Sequence, residues 1–403
     1  MITAITFILV FGFIIFIHEL GHFLAAKYAK VGVKVFAFGF PPKIWSKKVG
    51  ETEYKINLIP FGGYVKLEGE DEETEEIETI IVEKKRNSAT RGKTNKLFDQ
   101  NAATLLLIFS AGVVMNLVSA FLILVLLFIV GFKPIELGEF NRNIFPSVDR
   151  AGDIKSTVRV VVAEVEKNTP AEKEGIRKGD IIVSVDGKKV YFSDELVSIV
   201  RSRITKNGAN VNLTIDRDGQ TLTKSLTTYK SKIKTSDNQE KEVNRIGIVP
   251  ETDGTLKGGL FASMKAAFIT EVGIAKYTVI GIYDFFSKIF TQFKLSENMV
   301  GPIGLVVVTN YFSHLGLEAI LQFAVILSVS VALFNILPIP ALDGGFIAFT
   351  LIEIVTRRKI PLRLKNTINL VGFALLMSLM IIVTFRDFFT FDVWQYILKL
   401  VNK

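Results

Sequence analysis

Phe16-Ile17-His18-Glu19-Leu20-Gly21-His22-Phe23 lies inside the first apolar run of the chain, and the reading of the rest follows from it. Two histidines four apart on a helix share one face, a turn from each other, at a spacing that grips one metal ion. Glu19, between them, is placed to act as a base on water activated by such an ion. The flanks, residues 7–17 and 23–26, read as a membrane span. An ionisable side chain at the centre of a span costs about 2.5–3.5 kcal/mol on insertion scales, and its usual explanation is function. The sequence has three histidines among 403 residues, and the motif takes two of them. These residues imply a zinc-protease centre inside a membrane.

The composition agrees. Hydrophobic residues make up 49% of the chain, Phe alone occupies 33 positions, and the mean hydropathy is +0.38. A soluble chain of this length carries more charge and fewer long apolar runs. Cysteine is absent, which removes disulfides and thiolate metal sites and leaves His and carboxylate as donors for zinc. A net charge of +8 raises the question of nucleic acid. The basic residues cluster beside apolar segments instead, as loops facing anionic lipid do. The lipid bilayer is the expected partner, and nucleic acid is not.

Residues 1–30 hold the first expected span. No Lys or Arg precedes its apolar core and Lys27, Lys30 and Lys34 follow it, which argues against a signal peptide and puts the N-terminus outside. Residues 31–70 carry short β-leaning runs with turns at Gly50-Glu51 and Phe61-Gly62-Gly63. They form a membrane-associated sheet or looped hairpin. Its edge at Gly62, Gly63 and Tyr64 either takes an extended substrate by strand addition or belongs to a plain hairpin. Residues 71–98 are an acidic and then a basic block, read as a cytoplasmic connector. A second span occupies 99–133, where Asn116 is expected to find a packing partner.

Residues 155–252 have the texture of a soluble domain. Pro170-Ala171, Glu174-Gly175-Ile176, Gly179-Asp180-Ile181-Ile182 and Val185-Asp186-Gly187 together resemble PDZ domains of bacterial envelope proteases. That resemblance implies a groove for peptide or protein tails, with residues 245–249 as the groove strand in the circularly permuted form, centred on Ile246, Gly247 and Ile248. By topology this domain is extracytoplasmic. Residues 257–316 alternate apolar residues with charges and are expected to be an interfacial amphipathic helix and loop. His314, the third histidine, reads as a surface or packing residue.

The third apolar region, 317–357, is interrupted by Asn335-Ile336-Leu337-Pro338-Ile339-Pro340-Ala341-Leu342-Asp343-Gly344-Gly345. Proline and glycine break the helix here, and irregular backbone at membrane depth is tolerated where it lines an enclosed site. Asp343 needs a counter-charge, which a metal ion supplies. A fourth span covers 366–387 and a tail 388–403. The fold expected is a polytopic α-helical membrane protein with about four transmembrane helices, a membrane-associated β-hairpin/loop region and one inserted PDZ domain (α+β). Both termini lie outside, with the active site nearer the cytoplasmic face.

His18, His22 and Asp343 are the expected zinc ligands, leaving a fourth position for water. Glu19 is the base, and the Asn335 amide can donate to the oxyanion. A soluble protease of the class with a further His six positions after the second is excluded, because that position is Tyr28.

At this point the chain resembles the site-2 protease family of intramembrane zinc metalloproteases, of the bacterial regulator-of-sigma-E type. The residues that carry the likeness are His18-Glu19-Leu20-Gly21-His22, Ile59-Pro60-Phe61-Gly62-Gly63-Tyr64-Val65, the PDZ-like stretch, Gly301-Pro302-Ile303-Gly304, and the segment from Asn335 to Gly345. The resemblance implies Zn2+-dependent cleavage of single-span membrane proteins in the bacterial cytoplasmic membrane, such as anti-sigma factors or signal-peptide remnants, after another protease has trimmed them. Ala111-Gly112-Val113 departs from the family pattern, which often has Pro there, as does a single PDZ domain where many have two. Two rival readings remain at this stage, a non-enzymatic membrane adaptor and a metal transporter. Retention of Glu19 speaks against both, and the absence of an internal repeat speaks against the second.

Overall fold

The computed structural model describes residues 2–69, 96–136, 154–203, 209–234, 240–292 and 301–390. Most of the expected connector 71–98 and of the tail 388–403 lies outside the described residues. The chain divides into two compact units, Met1–Leu122 with Ala275–Lys403, and Ile123–Ile274.

In the first unit, α1 (Ile2–Tyr28) is uninterrupted. Its buried positions include Thr6, Val10, Ile14, His18, Gly21 and Ala25, a stripe stepping by three or four residues as one helix face requires. The opposite face exposes Ile5, Leu9, Phe13, Phe16 and Leu24, side chains suited to lipid. α2 (Ala102–Val130) is apolar all round.

Strands β1 (Val33–Val49) and β2 (Thr52–Leu67) pair antiparallel, with several register shifts. They are longer than the short runs expected between 43 and 67. The first part of β1 is flanked twice, since Phe36 faces both Val65 and Tyr54 and Ala37 faces both Tyr64 and Lys55. The pairings of Gly63 to Leu67 are all to that part of β1. Thr52 at the turn is buried, donates to Val33 O at 2.8 Å and accepts from Lys27 Nζ at 3.0 Å, which ties the sheet to the end of α1.

Beyond the inserted unit, the chain forms α6 (Pro302–Leu315), α7 (Leu317–Asn335), α8 (Asp343–Thr356) and α9 (Leu362–Thr390). The break between α7 and α8 falls where Pro338, Pro340 and the paired glycines predict it. Within 257–316, expected as an amphipathic helix and loop, residues Pro302–Leu315 form a second helix. Proline at a first helical position loses no hydrogen bond and carries a helical φ, and the Gly304 N–H is capped at 2.8 Å by the buried carboxylate of Asp387 in α9.

In the second unit, a sheet of order β11-β4-β5-β7-β8 is built from β4 (Arg159–Val165), β5 (Ile181–Val185), β7 (Asn210–Arg217), β8 (Gln220–Thr227) and β11 (Ile248–Asp253), with β6 (Lys188–Lys189) beside β5. Val160, Val162, Ile182, Leu213 and Ile215 alternate inward. They pack with Ala171 of the short α3 (Pro170–Lys173) and Leu196 of α4 (Ser193–Ser202). β3 (Ile154–Ser156) pairs β12 (Leu256–Gly258), while β9 (Tyr229–Lys234) pairs β10 (Glu240–Arg245). The expected strand over 245–249 is split. Gly247 takes φ +90°, so β10 ends at Arg245 and β11 begins at Ile248.

By length and composition five described helices could cross a membrane, where about four spans were expected; the additional candidate is Leu260–Ile289 within α5 (Leu260–Gln292). Its charges suggested an interfacial helix. Lys288 is paired with Asp284 one turn away at 2.8 Å.

Candidate metal centre

The site begins with helix packing. A Cβ on Gly21 would lie 2.4 Å from Ala111 O, so α1 meets α2 closely only because residue 21 is glycine. The histidines on either side are thereby held against α2. His22 Nδ1 donates to the Ile108 carbonyl at 2.8 Å, which leaves its Nε2 lone pair free.

The third residue comes from the break. Ala341 holds φ +73°, a conformation costing a non-glycine residue on the order of 1–3 kcal/mol, and its N–H donates to Asn369 Oδ1 of α9 at 3.2 Å. A Cβ on Gly344 would lie 2.0 Å from Leu337 O, so the loop folds back on the start of α8 only over glycine. Asp343 is thus the first residue of α8, where the aligned peptide dipoles favour a carboxylate.

His18 Nε2 and His22 Nε2 lie 3.1 and 3.3 Å from Asp343 Oδ2, and 3.3 Å from each other. Four tetrahedral ligands at zinc bond lengths of about 2.0–2.1 Å stand about 3.3–3.4 Å apart. Three lone-pair donors converge at such spacing over a cation or a shared proton. These are also the described residues whose His, Asp or Glu donor atoms group tightly enough for an ion. The donor set fits zinc.

Glu19 stands on the same cavity of about 300 Å³, with Tyr64 and Val65 of β2 and Phe346 of α8 on its wall. The Val65 backbone N–H faces the Glu19 carboxylate. A Cβ on Gly63 would lie 2.9 Å from Glu19 Cγ, so the strand reaches Glu19 because residue 63 has no side chain. Of the expected edge residues, Gly63 and Tyr64 reach the site, while Gly62 packs under Phe40. Asn335 is the half-buried last residue of α7 and is not on the cavity wall. His314 is exposed.

In the second unit, Ile246 and Ile248 line a groove of about 250 Å³ between β11 and α4, facing Leu196 and Val200 with Arg201 and Arg245 beside them. The Gly247 carbonyl accepts from Glu166 N at 2.9 Å, and a Cβ on Gly247 would lie 2.2 Å from Thr169. Arg245 is bonded to Glu166, which also accepts from the Tyr229 hydroxyl at 2.9 Å.

Sequence reading missed three residues. Asn116 was assigned to packing, and its amide faces His18 Nδ1 at 3.4 Å. Gly112, one turn earlier, backs both imidazoles. Asn369 supports the break. The isolated Gly-x-x-x-Asn spacing of 112 and 116 on an apolar helix was the one available signal, since it puts a bare spot and an amide on one face.

Two histidines and a carboxylate closing on one point, with a glutamate beside them and long apolar helices around them, define a membrane-embedded metallohydrolase. Comparison with known proteins carries this further. The model of peptidase family M50 matches residues 6–379, and the chain belongs to that family. CPE1693 of Clostridium perfringens is 30% identical over 382 residues, covering 94% of this chain and 96% of that protein. The regulator of sigma-W protease RasP of Bacillus subtilis is 28% identical over 450 residues, covering 96% and 98%. The PDZ domain of an SdrC-like protein from Listeria monocytogenes aligns with 23% of this chain and 85% of its own, at 21% identity and a TM-score of 0.18. The chain is a zinc-dependent protease of the site-2 type and a multi-pass membrane protein.

Proposed function

We propose that this protein cuts single-span membrane proteins within or near their transmembrane segments, with His18, His22 and Asp343 holding the zinc and Glu19 moving the proton. The observation that supports it most is the triangle of Nε2, Nε2 and Oδ2 atoms, 3.1–3.3 Å on a side, beside Glu19. Zinc, when bound, supplies a Lewis acid that polarises the peptide carbonyl and acidifies water. Glu19 takes a proton from the attacking water and returns it to the leaving amine. The Val65 N–H orients that carboxylate. Asn335, at the end of α7, is the proposed donor to the oxyanion.

A helical peptide bond is shielded by its own hydrogen bonds, so the scissile segment must unwind before it is cut. The Gly63 to Val65 stretch of β2 runs beside Glu19, and its backbone is the proposed strand to which the unwound chain adds. The groove at Ile246, Gly247 and Ile248 takes the tail of a substrate already trimmed by another protease. The basic residues after α1 and α8 orient the chain, with the metal centre toward the cytoplasm and the PDZ-like unit outside a bacterial cytoplasmic membrane. Anti-sigma factors and signal-peptide remnants have the required single span.

The test is a comparison of wild type and Glu19→Gln, each purified with its zinc content measured, on a model single-span substrate in vesicles. Zinc content is expected to be equal and cleavage to fall by about 10²–10⁴-fold. Equal cleavage by the two proteins would remove Glu19 from the chemistry.

A further inference from the structure

The two histidines differ in what stands behind them. His22 Nδ1 points at a backbone carbonyl, which only accepts, so the proton sits on Nδ1 and Nε2 is a free donor to metal. His18 Nδ1 points instead at an amide, which can present either an acceptor or a donor. That amide belongs to Asn116, which is fully buried. As it stands, Nδ2 faces His18 Nδ1 at 3.4 Å, and Oδ1 is buried without a hydrogen-bond partner. This orientation suits an imidazole protonated on Nε2, the tautomer that cannot bind metal through Nε2. Half a turn about the Cβ–Cγ bond exchanges the two amide atoms, and Oδ1 then accepts from Nδ1–H.

The surroundings fix the backbone of Asn116 in place without using its side-chain amide. Its own backbone carbonyl accepts two hydroxyl hydrogen bonds, from Ser119 Oγ at 2.9 Å and from Ser328 Oγ of α7 at 3.0 Å. Ser119 and Ser328 are themselves buried and 3.4 Å apart. A polar chain therefore runs from α7 through α2 to the first histidine on α1, inside segments otherwise apolar. Buried polar groups of this kind are costly unless each has a partner.

We propose that Asn116 is the positioning residue of His18: its Oδ1 accepts the Nδ1–H of His18 and holds the imidazole in the tautomer that offers Nε2 to the zinc. The proposal rests on the reading that His18 is a zinc ligand. It gives His18 the counterpart of the carbonyl that serves His22, and it gives the buried Oδ1 a partner. Outer partners of this kind raise the basicity of the ligand and fix the ring, and their loss commonly lowers metal affinity 10–100-fold.

The test is a zinc-affinity measurement by chelator competition on the detergent-purified full chain, for wild type, His18→Ala, Asn116→Leu and Asn116→Asp. His18→Ala is expected to abolish tight binding; retention there would overturn the ligand reading itself. Asn116→Leu keeps the volume and removes the acceptor, and is expected to weaken zinc binding 10–100-fold. Asn116→Asp restores an acceptor and is expected to bind zinc at least as tightly as wild type, a rescue that loss of packing alone does not produce. Affinity within twofold of wild type in Asn116→Leu, with His18→Ala empty, overturns the role proposed for Asn116. Should Asn116→Leu fail to fold, Asn116→Asp decides alone: a folded variant with weakened zinc binding is the contrary result.

Discussion

Gly112 marks how little room the two imidazoles have. A Cβ at that position would lie 2.4 Å from His22 Nε2 and 2.8 Å from His18 Nδ1, closer than side-chain carbons come to neighbouring atoms. Gly112→Ala is therefore expected to push the rings apart and lower the zinc affinity at least tenfold while α2 remains helical, since alanine is the better helix former by about 1 kcal/mol. Zinc content after dialysis, set beside the far-ultraviolet circular dichroism, checks this. Retained zinc would mean that the rings have more freedom than the packing implies. At this scale the sequence was legible where chemistry is rare. His18, Glu19 and His22 are conspicuous because ionisable groups do not belong in an apolar run, and Asp343 because proline and glycine open the helix around it. Gly112 and Asn116 were not legible in the same way. They stand on a helix apolar on every side, so no stripe marks which face meets the protein, and their roles exist only once α1 is packed against α2.

The elements differ in how local their causes are. In the PDZ-like unit the causes are local: Leu213 and Ile215 of β7 alternate inward, and the turns at Asp186-Gly187 and Asp218-Gly219 join β5 to β6 and β7 to β8. The helix Pro302–Leu315 was not singled out within the expected helix and loop of 257–316, because its cap, Asp387, comes from α9 and is invisible locally. The doubled flanking of the start of β1 was hidden for the same reason, since it depends on a pairing 30 residues away. One long-range pair gives a pH prediction. Asp180 is buried, which alone raises its carboxyl, but Arg217 bonds to it at 2.7 and 2.8 Å and the Arg177 N–H adds a third bond, with the net effect downward. A carboxyl held below its ordinary value of about 3.9 stabilises the fold fully above that value and ceases to do so as pH falls through the lowered one. Amide hydrogen exchange of residues 175–185 is thus expected to accelerate relative to the rest of the unit only in acid below that range. Arg217→Gln should make the segment exchange faster at neutral pH and flatten the acid dependence. Parallel pH profiles for the two proteins would contradict the pairing.

Across the whole molecule, the broken helix and the histidine-bearing helix are brought to one point by contacts that no single span contains. Glycine at 21, 63, 112 and 344 sits at each of the close approaches that build the cavity. The orientation in the bilayer gives a further prediction, and the chain is convenient for it because it contains no cysteine. Single substitutions Arg358→Cys and Lys224→Cys place a thiol after α8 and on β8. In intact cells with a permeable outer envelope, a membrane-impermeant maleimide is expected to label Lys224→Cys and to spare Arg358→Cys until the membrane is opened; the reverse pattern would invert the proposed topology. The central claim is that two residues of the first helix and one from the distant break hold a single zinc ion. Its most direct measurement is the zinc-to-protein ratio of Asp343→Ala beside Glu19→Gln, both purified without added metal. Zinc lost from the first and kept at wild-type content in the second is the expected result, and full zinc content in a folded Asp343→Ala protein would contradict it.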